Sequence, residues 1–241
     1  MLRNSIKGET LKVKRSPVWF AFILTPLIPA LMGAQNYLNN LELLKSEWFS
    51  LWTQETLFYS NFFYAPLIAV YCSYLWRLEN TNKNRHLLLL MPIPVRDIIL
   101  AKFITIFKIA LFTQCWVFLL YLISGKAVGL PALPPVLTLF YMFRGLLGGM
   151  VIASLQLLLS MLFKSFALPV VIAAAGSVTG LLAAGSDFGI FYPYSLMMLG
   201  MNANKSEDML AGNSLTYLGV TLLFLLLFLF SATFILKHRD S

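Results

Sequence analysis

Six stretches of this chain are long and apolar enough to carry a helix across the hydrocarbon core of a bilayer, which takes about 20 such residues. They centre on residues 17–35, 57–76, 103–123, 139–163, 167–185 and 217–236. Lipid offers no hydrogen bonds to a bare backbone, so each stretch has to satisfy its own polar groups as a helix. The expected fold class is therefore an all-α integral membrane protein with six transmembrane helices, a single domain over residues 1–241. Composition supports this: with 59% hydrophobic and 12% charged residues, a water-soluble globule would lack polar residues for its surface. The fourth and fifth spans are parted only by the turn around Lys164 and Ser165, and Pro169 suits the first turn of the next helix, so a tight helical hairpin is expected.

Basic residues set the orientation. Arg3, Lys7, Lys12, Lys14 and Arg15 precede the first span, and Arg77, Lys83, Arg85, Arg96 and Lys102 occupy the second connection. Lys164, Lys237 and Arg239 fall on the same side, while the alternate connections carry only Lys45, Lys126 and Lys205. The positive-inside rule places both termini in the cytoplasm of a cell-membrane protein. The net charge of +8 thus reads as a topology signal, and a nucleic-acid partner is not expected. A cleaved leader is disfavoured by Glu9 in the basic stretch and by Pro17, Pro26 and Pro29 in the apolar run. Residues 1–16 instead suit a short interfacial helix, with Leu2, Ile6 and Val13 on one side among the lysines.

Motifs for chemistry are missing. There is no G-x-x-x-x-G-K-[ST] loop, no H-E-x-x-H and no G-x-S-x-G. No catalytic residue, metal site or cofactor is expected in this chain. His86 and His238 stand far apart, and Cys72 and Cys115 sit in apolar runs as small hydrophobes. The acidic residues are expected outside the span centres, which weakens a proton-coupled transporter. Lys108 and Arg144, near span ends, are expected to snorkel as anchors. Asn61, Gln114 and Gln156 should bridge helices, and the pairs Gly145/Gly149 and Gly176/Gly180 should permit close helix approach.

Two connections stand out. The cytoplasmic one, residues 77–102, strings together charges, Leu87, Leu88, Leu89 and Leu90, and then Pro92 and Pro94. Four leucines cannot span a membrane, but they can bury a face against the bilayer surface or a partner protein. A solvated basic loop is the plainer reading. The outer connection, residues 186–216, holds Tyr192, Tyr194, Met197 and Met198, which suit a segment dipping into the outer interface, where they would contact substrate or seat the helix ends.

Glu9-x-x-Lys12, Asn61-Phe-Phe-Tyr64, Glu79, and the run Leu89-Leu-Met-Pro92, Arg96 and Ala101-Lys102 occur in an order that resembles the permease subunits of type-2 ABC exporters over essentially the whole chain. Within them it resembles the lantibiotic-immunity permeases of the MutE/EpiE kind. The resemblance implies two permeases, identical or homologous, each docked on a cytoplasmic ABC ATPase that holds ATP and Mg. It implies that residues 77–102 couple the motor to the spans, with Glu79, Arg85, Arg96 and Asp97 as charged contacts, Leu87 to Leu90 with Pro92 as the buried part, and Glu9 and Lys12 in the interfacial helix. It also implies a cationic antimicrobial peptide as substrate, removed for self-immunity or resistance. An ATP-independent secondary transporter and a non-transporting scaffold or sensor stay open as alternatives.

Overall fold

The computed structural model describes residues 1–14, 16–81, 87, 88 and 90–239, the last without its side chain. Among them the regular structure is helical throughout: α1 (Leu2–Lys14), α2 (Val18–Leu24), α3 (Leu27–Asn39), α4 (Glu47–Phe58), a π-helical turn (Tyr59–Phe63), α5 (Tyr64–Asn80), α6 (Val95–Ala127), α7 (Leu137–Leu162), α8 (Ala167–Ala184), a 3-10 turn (Gly189–Phe191), α9 (Leu196–Met201) and α10 (Ser214–Arg239).

Five of these segments are long and apolar enough to cross a membrane: Val18–Asn39, Val95–Ala127, Leu137–Leu162, Ala167–Ala184 and Ser214–His238. The first is α2 and α3 joined at Thr25–Pro26, where the proline opens α3 from its N-cap position. The remaining expected span, residues 57–76, behaves differently. α4, the π turn and α5 follow one another without a break, so the helix begins ten residues earlier, at Glu47, and the π turn divides it into pieces of 12, 5 and 17 residues. Eight of the 12 residues of α4 are buried, including Thr53, Gln54, Glu55 and Thr56. A helix wrapped by protein can be more polar than one facing lipid, and this explains why an apolar window missed its first ten residues. By contrast, only 17% of the apolar stretch of α10 is buried; Leu222, Leu226 and Phe230 on it are exposed.

α6 is about 50 Å long at 1.5 Å per residue, longer than a hydrocarbon core of about 30 Å. Its first two turns carry Arg96, Asp97 and Lys102. α7 and α8 are joined by the short turn anticipated at Lys164 and Ser165.

The outer connection folds back into the protein. After α8 the chain descends along it, with the Tyr192 hydroxyl 2.7 Å from that of Thr179 and Tyr194 against Gly176 and Gly180. It then reverses into α9, which packs on α7 so closely that a Cβ added at Gly148 would lie 2.5 Å from the backbone carbon of Leu196. Gly145 faces Met201 and Gly149 faces the Tyr64 ring, so both expected glycine pairs serve contacts within this chain. Asn202 ends α9 in the left-handed region at φ 51. Its buried side chain accepts the Met209 amide at 2.8 Å.

Of the three polar side chains expected to bridge helices, one joins two helices, one ties a helix to the returning connection and one stays within its own helix. The Gln114 amide donates to the Met142 carbonyl and the Gln156 amide to the Tyr194 hydroxyl, whereas that of Asn61 donates to Leu57 within its own helix, at the π turn. Arg144 departs from expectation: it does not snorkel but lies 3% exposed. It makes a two-pronged ion pair with Asp208 at 3.0 and 2.7 Å and donates to the Gly200 carbonyl. It thus straps the 202–213 loop to α7 and α9. Burial works against the Asp208 carboxylate, but the Arg144 hydrogen bonds outweigh it and hold its pKa below the ordinary 3.8.

Candidate functional site

Four charged side chains from three parts of the sequence meet at the end of the molecule that carries the 77–102 connection. Glu9 and Lys12 come from α1, Glu79 from the last turn of α5, and Lys102 from the second turn of α6. Helix spacing brings them there. Glu9 and Lys12 lie three apart on one face of α1, and Glu9 and Val13 form its buried side. The Trp19 indole donates to the Val13 carbonyl at 2.9 Å and ties the end of α1 to α2.

Lys102 is the hub. It is 0% exposed, and its Nζ donates to Glu9 Oε2 and Glu79 Oε1 at 2.9 Å each, beside the Trp76 ring at 5.0 Å. Lys12 Nζ completes the ring, donating to Glu9 Oε1 at 2.6 Å and to the same oxygen of Glu79. Two carboxylates and two ammonium groups cancel, so the cluster can be buried without net charge. It rivets α1, α5 and α6 together at the base of the connection between α5 and α6.

Burial alone would raise the Glu79 carboxyl, but Lys102 and Lys12 outweigh it and hold its pKa below the ordinary 4.5. For Lys12, burial lowers the value, and Glu9 and Glu79 reverse this to above the ordinary 10.5. A depressed carboxylate stabilises the fold above its unfolded value and loses that contribution as pH falls through the folded one; a raised lysine loses its contribution as pH climbs above 10.5. The joint should contribute fully from about pH 5 to pH 10. Acid titration of thermal stability in detergent should show a loss below pH 4.5 that Glu79→Gln shrinks; equal acid slopes for the two proteins would contradict this.

Beside the joint, α1 and the α5–α6 connection enclose two grooves. One, of about 450 Å³, is lined mainly by apolar groups, among them Leu88, Met91, Pro92, Ile93 and Ile98, with Met1 and Gly8 opposite. The other, of about 500 Å³, runs past Leu78, Glu79, Thr81 and Leu87. Lys12, Leu88 and Met91 line both. Leu88 and Ile93 pack on the core, but Leu87, Leu90 and Met91 are 57%, 82% and 50% exposed. Pro92 and Arg96 are also exposed, and Asp97 is half-buried at the start of α6.

The expected contact residues thus separate into two sets. Leu87, Leu90, Pro92 and Arg96 present an outward surface, with Leu88 anchoring it. Glu79 does not belong to that surface: its carboxylate is turned inward and taken up by two lysines, so it supports the segment from beneath. Glu9 and Lys12, expected in the interfacial helix, hold the same joint, and Lys102, expected only as a topology charge and as part of the resemblance, is its centre. Arg85 and Leu89 lie outside the described residues. On the outer side, Tyr194, Met197 and Met198 are buried, at 6%, 0% and 3% exposure. They pack the returning hairpin against α7 and α8 rather than offer an outer contact, and Tyr192 is half-buried. No group of histidine, cysteine and acidic residues among the described residues could hold a metal ion.

In a comparison with known families, residues 5–180 match the model described as ABC-2 family transporter protein. No individual curated protein and no solved structure matches the chain.

Proposed function

The chain belongs to the ABC-2 family of transporter proteins, which makes it a multi-pass membrane component of an ABC transporter, and on that premise we propose that it is the permease subunit of an exporter driven by a separate ATPase. The observation that carries this reading is the outward apolar surface of Leu87, Leu90 and Met91 beside Arg96. Large apolar side chains on a short charged connection suit a protein partner better than water. The neutral ion joint beneath gives that surface a rigid base, so a push on it moves α1, α5 and α6 together.

In this reading residues 57–76 of the Glu47–Asn80 run are a sixth crossing, both termini are cytoplasmic, and α1 lies at the inner interface. Residues 77–102 dock on an ABC ATPase that binds ATP and Mg, and a second permease, identical or homologous, completes the membrane unit. Resemblance to lantibiotic-immunity permeases suggests a cationic antimicrobial peptide as the substrate, removed for self-immunity or resistance.

Truncating anchors at the centre of an interface typically costs 2 kcal/mol or more. Leu87→Asp with Leu90→Asp should therefore weaken ATPase co-purification by about 30-fold or more, with membrane insertion unchanged. Arg96→Glu should weaken it less, by altering the charged rim. ATPase recovery equal to wild type in the leucine variant would refute the assignment of this surface.

A further inference from the structure

The cations of α1 divide into two sets. Lys12 is consumed by the joint, whereas Arg3, Lys7 and Lys14 are all exposed. At 100° per residue, Arg3, Lys7, Thr10 and Lys14 form one stripe on the side of α1 away from the groove. Lys108 of α6 adds a fourth cation, its Nζ 3.5 Å from the Thr10 hydroxyl. No carboxylate among the described residues pairs with any of the four. Phe107 and Leu111 on α6, one residue before and three after Lys108 and each 39% exposed, supply an apolar surface.

We propose that this stripe is a binding site for an anionic phospholipid of the inner leaflet, its phosphate held by Lys7, Lys14 and Lys108 around Thr10 and an acyl chain lying on Phe107 and Leu111. Charge and apolar surface together select an amphipathic anion. Unpaired cations close to a bilayer surface gain from anionic headgroups, and the lysines can reach them while their stems stay on apolar surface. Lipid seated there would hold α1, and with it the ion joint, against α6. The inner-leaflet assignment rests on the orientation proposed above; the binding itself does not depend on an ATPase.

The test places the purified full-length chain in nanodiscs of phosphatidylcholine with graded phosphatidylglycerol and counts retained lipids by native mass spectrometry. Phosphatidylglycerol should be retained preferentially. Each lysine removed should weaken retention about fivefold, so Lys7→Gln with Lys14→Gln and Lys108→Gln should lose on the order of 100-fold. The three Lys→Arg changes together, and Lys164→Gln with Lys205→Gln, should retain it. Equal retention of both lipids, unchanged retention in the Gln variant, or displacement by excess inorganic phosphate would overturn the proposal. So would a Gln variant that keeps its lipid but no longer co-purifies with an ATPase, since the stripe would then be a protein contact. Failure of the wild-type chain to capture an ATPase while it retains phosphatidylglycerol would count against the exporter reading alone and leave the lipid site supported.

Discussion

Lys102→Met should destabilise the detergent-solubilised protein by about 3 kcal/mol, at the lower end of what breaking a buried ion pair costs. The substitution leaves Glu9 and Glu79 facing one remaining cation, Lys12, whose contacts to both survive. Two buried carboxylates against one ammonium group is an uncompensated charge, and this imbalance, more than the loss of one contact, is the source of the cost. Adding Glu79→Gln restores neutrality, so the double variant should be more stable than Lys102→Met alone. Thermal unfolding of wild type, both single variants and the double variant forms a cycle that isolates this coupling. Simple addition of the two single effects would contradict the neutral joint. ATPase co-purification should fall with Lys102→Met even though Lys102, at 0% exposure, cannot touch a partner.

Gly148→Ala should dislodge the returning hairpin. A Cβ at Gly148 would meet the carbon and oxygen of Leu196 at 2.5 Å and the Met197 amide nitrogen at 2.7 Å. Those are backbone atoms of α9, so no rotamer change relieves the clash, and the cost should reach about 3 kcal/mol, the upper part of the overpacking range. Gly219→Ala is the matched control. It lies inside α10 with nothing within 4 Å of the added methyl, and helix propensity predicts a gain of up to about 1 kcal/mol. In a Cys115→Ser background, a cysteine at Met198, buried in the wild-type fold, should become reactive to an impermeant maleimide when Gly148→Ala is added. Protection unchanged by Gly148→Ala would show that α9 does not depend on this contact.

α6, α7, α8 and α10 were legible because each holds a long apolar window with few charges, whether it is mostly exposed, as α10 is, or mostly buried, as α7 is. The start of the Glu47–Asn80 helix was not, because its surroundings are protein. Trp48 donates to the Pro131 carbonyl and Trp52 to that of Met201, and such partners can satisfy polar residues that a hydropathy window rejects. Glu55 is the extreme case. Expected outside the span centres, it is buried against α3, where a Cβ at Gly33 would come within 2.5 Å of its Cα, and neither carboxylate oxygen has a hydrogen-bond partner at bonding geometry.

The candidate site was legible in part for a similar reason. The apolar run at Leu87 to Leu90 and the flanking prolines are local features, and they mark the exposed surface directly. The ion joint is not local. Glu9, Glu79 and Lys102 are separated by most of the first hundred residues, and a single sequence shows each only as one more charge near a span end. Excess basic residues in the same segments gave the topology signal and hid the fact that Lys12 and Lys102 are neutralised. Arg144 was misread as an anchor for the same reason, since its partner Asp208 is 64 residues away.

Residues 87, 88 and 90–97 should form the surface on which a separate ATPase drives this permease. The most direct measurement places a photo-crosslinking amino acid at Met91, exposed at the mouth of both grooves, irradiates native membranes and identifies the product by mass spectrometry. The predicted product is a stoichiometric adduct with a soluble protein that carries an ATP-binding motif, and the same probe at the exposed Leu215 in the first turn of α10 should give none. A probe at Met91 that crosslinks only to lipid, while the chain moves its substrate without ATP, would contradict it.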